Sequence, residues 1–243
     1  MLKTYRNRIY RAVLRRIPHG PKYALVTAWQ RTFPPYPLVE PGHVVVQIGI
    51  AGPLCELGRS QAIIYGRLVG PAGKVYAFEA IPENVEQFHG YIRKHGIGNI
   101  EAQAIGLWKE RALLTFNAPP PGRPTLGSRL HLEGSDQTRR FETQRELPVD
   151  SLDNLLAGKD LARLDVINIT TNGAEPEIVM GAMTLVKRFR PVICLPARAE
   201  TTAFFDEMLV PMGYRKHHDA VRLHAWGKPF EILWGAPADR PSS

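Results

Sequence analysis

Cysteine is scarce in this chain: Cys55 and Cys194 are the only two in 243 residues. Two thiols cannot build a disulfide framework, and without any sign of export the chain is expected to be intracellular. Long apolar runs are missing as well. None approaches the roughly 20 residues that span a bilayer, and Arg11, Arg15 and Arg16 break the apolar core that a signal peptide would need. The turn after the first strand carries no complete G-x-G-x-x-G, and no G-x-x-x-x-G-K-[ST] occurs. A standard dinucleotide fingerprint and a phosphate-cradling P-loop are therefore not expected. The two Cys and eight His lack zinc-type spacing, so no metal site is predicted.

Acid is absent before Glu40, where Lys3, Arg6, Arg8, Arg11, Arg15, Arg16, Lys22 and Arg31 stand unopposed. These eight bases account for the whole net charge of +8, and the body carries equal numbers of bases and acids. A body without a basic excess gives no reason to expect nucleic acid as a partner. Within the arm, residues 1–39, Leu2, Tyr5, Ile9, Val13, Leu14 and Ile17 recur at helical spacing, although Lys3, Arg6 and Arg16 intrude on the stripe. Pro18-His-Gly-Pro21 is expected to end that helix, and Thr32-Phe-Pro-Pro-Tyr-Pro-Leu38 to form an extended, proline-stiffened linker. The arm has three readings: a helix packed on its own domain, a contact with an anionic membrane surface, or a contact with an acidic partner or an RNA. The second places an otherwise cytoplasmic chain peripherally at a membrane.

From residue 40 onward, β-branched runs alternate with helical periods. Strands are predicted at 43–48, 74–79, 99–107, 165–170 and 191–195, and helices at 60–69, 82–94, 150–156, 175–188 and 201–212. Residues 109–148, rich in turn residues, read as an insertion of short antiparallel strands and a mobile loop. A closing strand at 230–234 is expected to form a hairpin with 214–218. The fold class that follows is α/β: a doubly wound, Rossmann-like, mostly parallel sheet with a terminal antiparallel strand and an N-terminal basic helical arm.

In such sheets ligands bind at the carboxyl ends of the strands. Gly49, directly after the first strand, lets a backbone approach a ligand closely, and Glu79, ending the second, offers a carboxylate to the hydroxyls of a ribose. The turn after the third strand, at Ala104 and Ile105, completes the expected pocket, with Trp108 either covering it or packing in the core. Arg59 and Ser60 open a helix that could face an anion. Other groups carry weaker signals. His131 and Glu133 fall on one face of a strand as a potential base pair, His217-His218-Asp219 reads as solvent-exposed, and Cys55 as a packed neutral thiol.

Four blocks of sequence carry a family likeness. They are Gly42-His-Val-Val-Val-Gln-Ile-Gly49, Leu68-Val-Gly-Pro-Ala-Gly-Lys-Val-Tyr-Ala-Phe-Glu79 with Pro82-Glu-Asn84, Leu147-Pro-Val-Asp-Ser-Leu-Asp-Asn-Leu-Leu156, and Val166-Ile-Asn-Ile-Thr-Thr-Asn-Gly-Ala-Glu-Pro-Glu177. In order and spacing these resemble the FkbM-type family of S-adenosylmethionine-dependent methyltransferases, over roughly residues 41–195. The resemblance implies a class I methyltransferase domain over 40–243, S-adenosylmethionine as cofactor, and methyl transfer to an oxygen of a sugar, glycan or other small molecule.

The likeness has gaps. Where the family has Asp at the end of its first strand, this chain has Gln47, and the following loop is about six residues longer. Where the family motif reads Lys-Ile-Asp-Val-Glu-Gly-Ala-Glu, this chain has Asn168, Ile169, Thr170, Thr171, Asn172, Gly173, Ala174 and Glu175. Gly49, Glu79, Gly173 and Glu175 are kept. Gln47 can still accept a hydrogen bond, with about half the strength of an ionised acceptor, whereas Thr170 is a weak candidate for catalysis. Two readings follow: an active methyltransferase with a weakened cofactor site, or an inactive descendant of the fold retained as a binding or structural subunit.

Overall fold

The computed structural model describes residues 14–122, 129–130, 143–171, 173–221 and 230–238. Its main sheet has seven strands. They are β1 (Val44–Ile48), β2 (Lys74–Glu79), β3 (Ile100–Ala104), β8 (Val166–Ile169), β9 (Val192–Pro196), β10 (Tyr214–Val221) and β11 (Phe230–Pro237), in the order β10-β11-β9-β8-β1-β2-β3. From β9 to β3 all pairings are parallel, and β11 runs antiparallel to both β9 and β10. β1, the first strand in sequence, lies between β8 and β2, so strand order reverses beside it. That reversal opens a crevice at its carboxyl end.

The alternation of strand side chains divides the interior into two cores. Val45, Val75, Ala77, Val166 and Cys194 face one side, with α1 (His19–Gln30), α2 (Gln61–Val69) and α3 (Pro82–Lys94) supplying Tyr23, Ile63, Tyr65 and Phe88. Val46, Ile48, Phe78, Ile167 and Leu195 face the other. There α4 (Leu152–Leu156), α5 (Glu175–Met180) and α6 (Met183–Phe189) supply Leu152, Ile178 and Val186, and Phe205 joins them from the π-helical turn Phe205–Leu209 after α7 (Ala199–Phe204). No helix among the described residues is long and apolar enough to cross a membrane.

Several elements depart from the expectations. The helical stripe over residues 1–13 lies outside the described residues. Pro18-His-Gly-Pro21 ends one helix, present at residues 14–16, as expected, and also starts the next: Pro18 is the N-cap of α1. Prolines suit a helix start because first-turn N–H groups have no intrahelical partner to lose. The linker is not extended either. Tyr36–Leu38 forms a 3-10 turn, and Tyr36 and Val39 are each 1% exposed.

The third strand stops at Ala104, and β4 (Gly106–Leu107) leaves for a second sheet of order β4-β7-β5-β6, with β5 (Ala112–Asn117), β6 (Arg129–Leu130) and β7 (Gln144–Asp150). Apart from the parallel β4–β7 pair this sheet is antiparallel, and most of the expected loop within the insertion is outside the described residues. The helix predicted over 175–188 breaks at Gly181-Ala182, where a Cβ on Gly181 would lie 2.1 Å from the Trp108 carbonyl oxygen.

Candidate functional site

A cavity of about 310 Å³ opens at the carboxyl ends of β1 and β2. Gly49 forms its floor. Its φ is +89°, its N–H donates to Phe78 O at 2.8 Å, and an added Cβ would sit 2.8 Å from Thr170 Oγ1. Glycine is therefore required at 49 by conformation and by the neighbouring strand end as well as by the cavity. The long loop that follows folds into a 3-10 turn, Gly52–Leu57, and reverses at Gly58 with φ +68°. Arg59 and Ser60 end this loop, and both line the cavity. Ser60 occupies the N-cap position of α2, but its side chain makes no capping bond.

Glu79 faces the cavity from the end of β2. Its Oε2 accepts from Ile50 N at 2.9 Å and its Oε1 from Ile81 N at 3.0 Å, and Asn84 adds a side-chain hydrogen bond. One carboxylate thus ties together the loops after β1 and β2. Each oxygen retains accepting capacity, because a carboxylate offers about four lone-pair sites. Burial pushes its pKa up to about 7, against the pull of those three donors. The walls beside it are apolar: Phe78, Ile81, Ile105 and Trp108. Ala104 is exposed and does not line the cavity, in contrast to Ile105.

Gln47 does not reach the cavity. It is 0% exposed, on the face of β1 that packs towards α2. Its Nε2 donates to Ile48 O, Gly49 O and Thr170 Oγ1 at 3.0, 3.1 and 3.1 Å, and its Oε1 accepts from Asn168 Nδ2 at 2.7 Å. The Thr170 hydroxyl donates in turn to Ile48 O at 2.8 Å. Three positions where the resemblance calls for ionisable groups are thus joined in one neutral, mutually satisfied seam between β1 and β8. Thr170 lines the cavity, but its hydroxyl donates to Ile48 O and accepts from Gln47 Nε2, and a neutral alcohol is not basic enough to act as a general base.

Glu175 is 1% exposed and does not line the cavity. Its carboxylate accepts from Gly173 N at 3.0 Å and from Arg198 Nη1 at 3.1 Å. Arg198, beyond the end of β9, lines the cavity and reaches Thr171 O at 3.4 Å, so the Glu175 and Gly173 pair serves to hold an arginine that motif reading passed over. The rule that ligands gather at strand ends was the one signal that could have found it. His131, Glu133 and Asn172 lie outside the described residues.

Elsewhere, His217 stacks on Trp234 with ring centroids 4.2 Å apart, His218 Nε2 is 3.1 Å from Glu231, and Asp219 accepts from Trp234 Nε1 at 2.7 Å. Among the described residues no three His, Cys, Asp or Glu side chains gather in a metal-binding group. Burial pushes the Cys55 thiol up to about 12, so it is a neutral packed group.

Comparison with known proteins gives the following. The family model described as Methyltransferase FkbM domain matches residues 53–222, extending past Leu195, where the motifs alone ended the likeness. The crystal structure of methyltransferase FkbM from Methylobacillus flagellatus KT aligns with a TM-score of 0.53 at 13% identity, covering 94% of this chain and 59% of that one. The chain therefore spans about three-fifths of that protein's length, and the likeness is one of fold. Precorrin-6y C5,15-methyltransferase from Geobacter metallireducens GS-15 aligns at 15% identity with a TM-score of 0.49, covering 88% of this chain and 87% of that one. No curated protein matches the chain.

Proposed function

The chain belongs to the FkbM methyltransferase family, and from that premise we propose that it binds S-adenosylmethionine in the cavity below Glu79 and methylates a hydroxyl oxygen of a sugar, glycan or other small molecule. The observation that carries this reading is the Glu79 carboxylate, fixed by two backbone N–H groups with accepting capacity left towards the cavity. A ribose presents two adjacent hydroxyl donors to such a group. The apolar surfaces of Phe78, Ile105 and Trp108 suit a flat base beside it. When bound, S-adenosylmethionine supplies the activated methyl group.

What the chain itself contributes is placement. Glu79 holds the ribose and Asn84 steadies Glu79, while Arg198 is kept at the rim by Glu175. Of the ionisable side chains lining the cavity, Glu79 is engaged by the ribose, and Arg59 and Arg198 are cationic. Orientation of the two reactants is then the principal source of rate, a device worth up to about 7–11 kcal/mol.

A second reading, a binding or structural subunit without catalysis, is favoured by the neutral seam of Gln47, Asn168 and Thr170. Its internal hydrogen bonds mark it as repacked, not merely stripped of acids. Titration of the purified chain with S-adenosylhomocysteine separates the readings. Micromolar binding that weakens on Glu79→Ala by on the order of 2 kcal/mol supports a cofactor site. No binding by the wild-type chain would leave the subunit reading.

A further inference from the structure

Helix α1 precedes the residues that match the family, 53–222, yet it holds the loop that walls the cavity. Tyr23 is 0% exposed, and its hydroxyl donates to Cys55 O at 3.0 Å while accepting from Ser60 N at 3.4 Å. Lys22, 4% exposed, donates from Nζ to Glu56 O at 2.6 Å. Its stem lies so close to the loop that a Cβ on Gly58 would be 2.9 Å from Lys22 Cγ. Two neighbouring side chains of α1 therefore engage three backbone groups of the 50–60 loop. The other side of that loop presents Ile50, Ala51, Leu54, Arg59 and Ser60 to the cavity.

The helix is itself anchored. His19 Nδ1 pairs with Tyr91 Oη of α3 at 3.0 Å and stacks on His95 with ring centroids 4.4 Å apart. Burial, with His95, Arg67 and Lys22 nearby, pushes the His19 pKa down to about 4 against the opposing pull of Glu56, so the ring is neutral in this stack at ordinary pH. The chain thus runs from a fixed helix, through Tyr23 and Lys22, to the loop. Cys55 O also accepts from Gly58 N at 3.1 Å, whereas Tyr23 and Lys22 meet Ser60 N and Glu56 O. A buried backbone group left unpaired costs about 1–3 kcal/mol.

We propose that α1 is part of the ligand site and that Tyr23 is its positioning residue, holding the 50–60 loop in the shape that receives the adenosyl group. This rests on the cofactor reading above. A second buried tyrosine provides the comparison: Tyr65, on α2, is also 0% exposed, and its hydroxyl has no hydrogen-bond partner among the described residues.

The test uses the full chain and three variants, Tyr23→Phe, Lys22→Met and Tyr65→Phe, each titrated with S-adenosylhomocysteine and followed by amide hydrogen exchange over residues 50–60. Tyr23→Phe and Lys22→Met should weaken binding about five- to tenfold and speed exchange in the loop, whereas Tyr65→Phe should change neither by more than about twofold. If Tyr23→Phe lowers the melting temperature but leaves affinity and loop exchange at wild-type values, Tyr23 is a packing residue and the proposal is overturned. If the wild-type chain binds no S-adenosylhomocysteine, the cofactor reading fails. In that case the exchange arm still decides whether α1 shapes the loop: faster exchange supports the brace, and unchanged exchange overturns it.

Discussion

Raising the pH from about 6 to about 8 should tighten the binding of a ribose-bearing ligand about tenfold, through the ionised fraction of Glu79. Burial sets the Glu79 carboxyl at about 7. Its ionised fraction is then about one-eleventh at pH 6 and about ten-elevenths at pH 8. Both ribose hydroxyls donate, so the ligand selects the carboxylate, and apparent affinity follows that fraction, a change of about 1.4 kcal/mol. The suitable probe is 5′-methylthioadenosine, which keeps the ribose and base but has no ammonium or carboxylate of its own to titrate across this range. Fluorescence or calorimetric titration at three pH values reads the effect, and the Glu79→Gln variant should give a flat profile.

The stability of the ligand-free chain should move the opposite way. A carboxyl whose folded pKa is raised above its usual value of 4.5 stabilises the fold fully below that value, and the contribution is lost as pH rises through about 7. The apo wild type should therefore lose stability relative to Glu79→Gln between those two points. A wild-type affinity that stays flat from about pH 6 to about pH 8 would refute the reasoning, because either the carboxyl is not held neutral by burial or it does not receive the ribose.

Two further outcomes are expected. Gln47→Asp would set a carboxylate against Ile48 O and Gly49 O in a fully buried position. It should therefore destabilise the chain by on the order of 3–5 kcal/mol in urea denaturation, with no gain in S-adenosylhomocysteine affinity. Gly49→Ala should cost about 1–3 kcal/mol from the positive φ alone, and pairing it with Thr170→Ala should recover only the part due to the 2.8 Å clash with Oγ1, as read from melting temperatures.

The central strands could be read from sequence because β1, β2 and β8 are covered on both faces, and such strands must be almost continuously apolar. Val44-Val45-Val46 and Val166-Ile167 leave little choice. Gly49 and Glu79 were legible for a related reason: they are the first special residues after such runs. What failed was what depends on contacts distant in sequence. The break between α5 and α6 comes from the Trp108 backbone pressing on Gly181, which no helical period reveals. Pro18 and Pro21 do stop the helix that ends at residue 16, but their second role, opening α1 at once, depends on packing that the local pattern does not show. Gln47 looked like a ligand residue because of its position, but its orientation follows from Asn168 and Thr170, more than a hundred residues away. Arg198 carried no motif, and its importance lies in Glu175, which looked like part of a motif loop and proved to be its buried counter-ion.

The close passage of Gly181 beneath Trp108 has a consequence for how ligand preference can change. Trp108 is a wall of the cavity, and its carbonyl oxygen lies where any side chain at 181 would begin, 2.1 Å from the would-be Cβ. Gly181 O also accepts from Asp153 N at 2.9 Å, so the glycine cannot easily retreat. A substitution there would displace the wall inward from behind, reshaping the space for a ligand it never meets. For a ligand bound as proposed, selectivity would then be set partly outside the residues that line the cavity, and a search for altered preference confined to the lining would miss position 181.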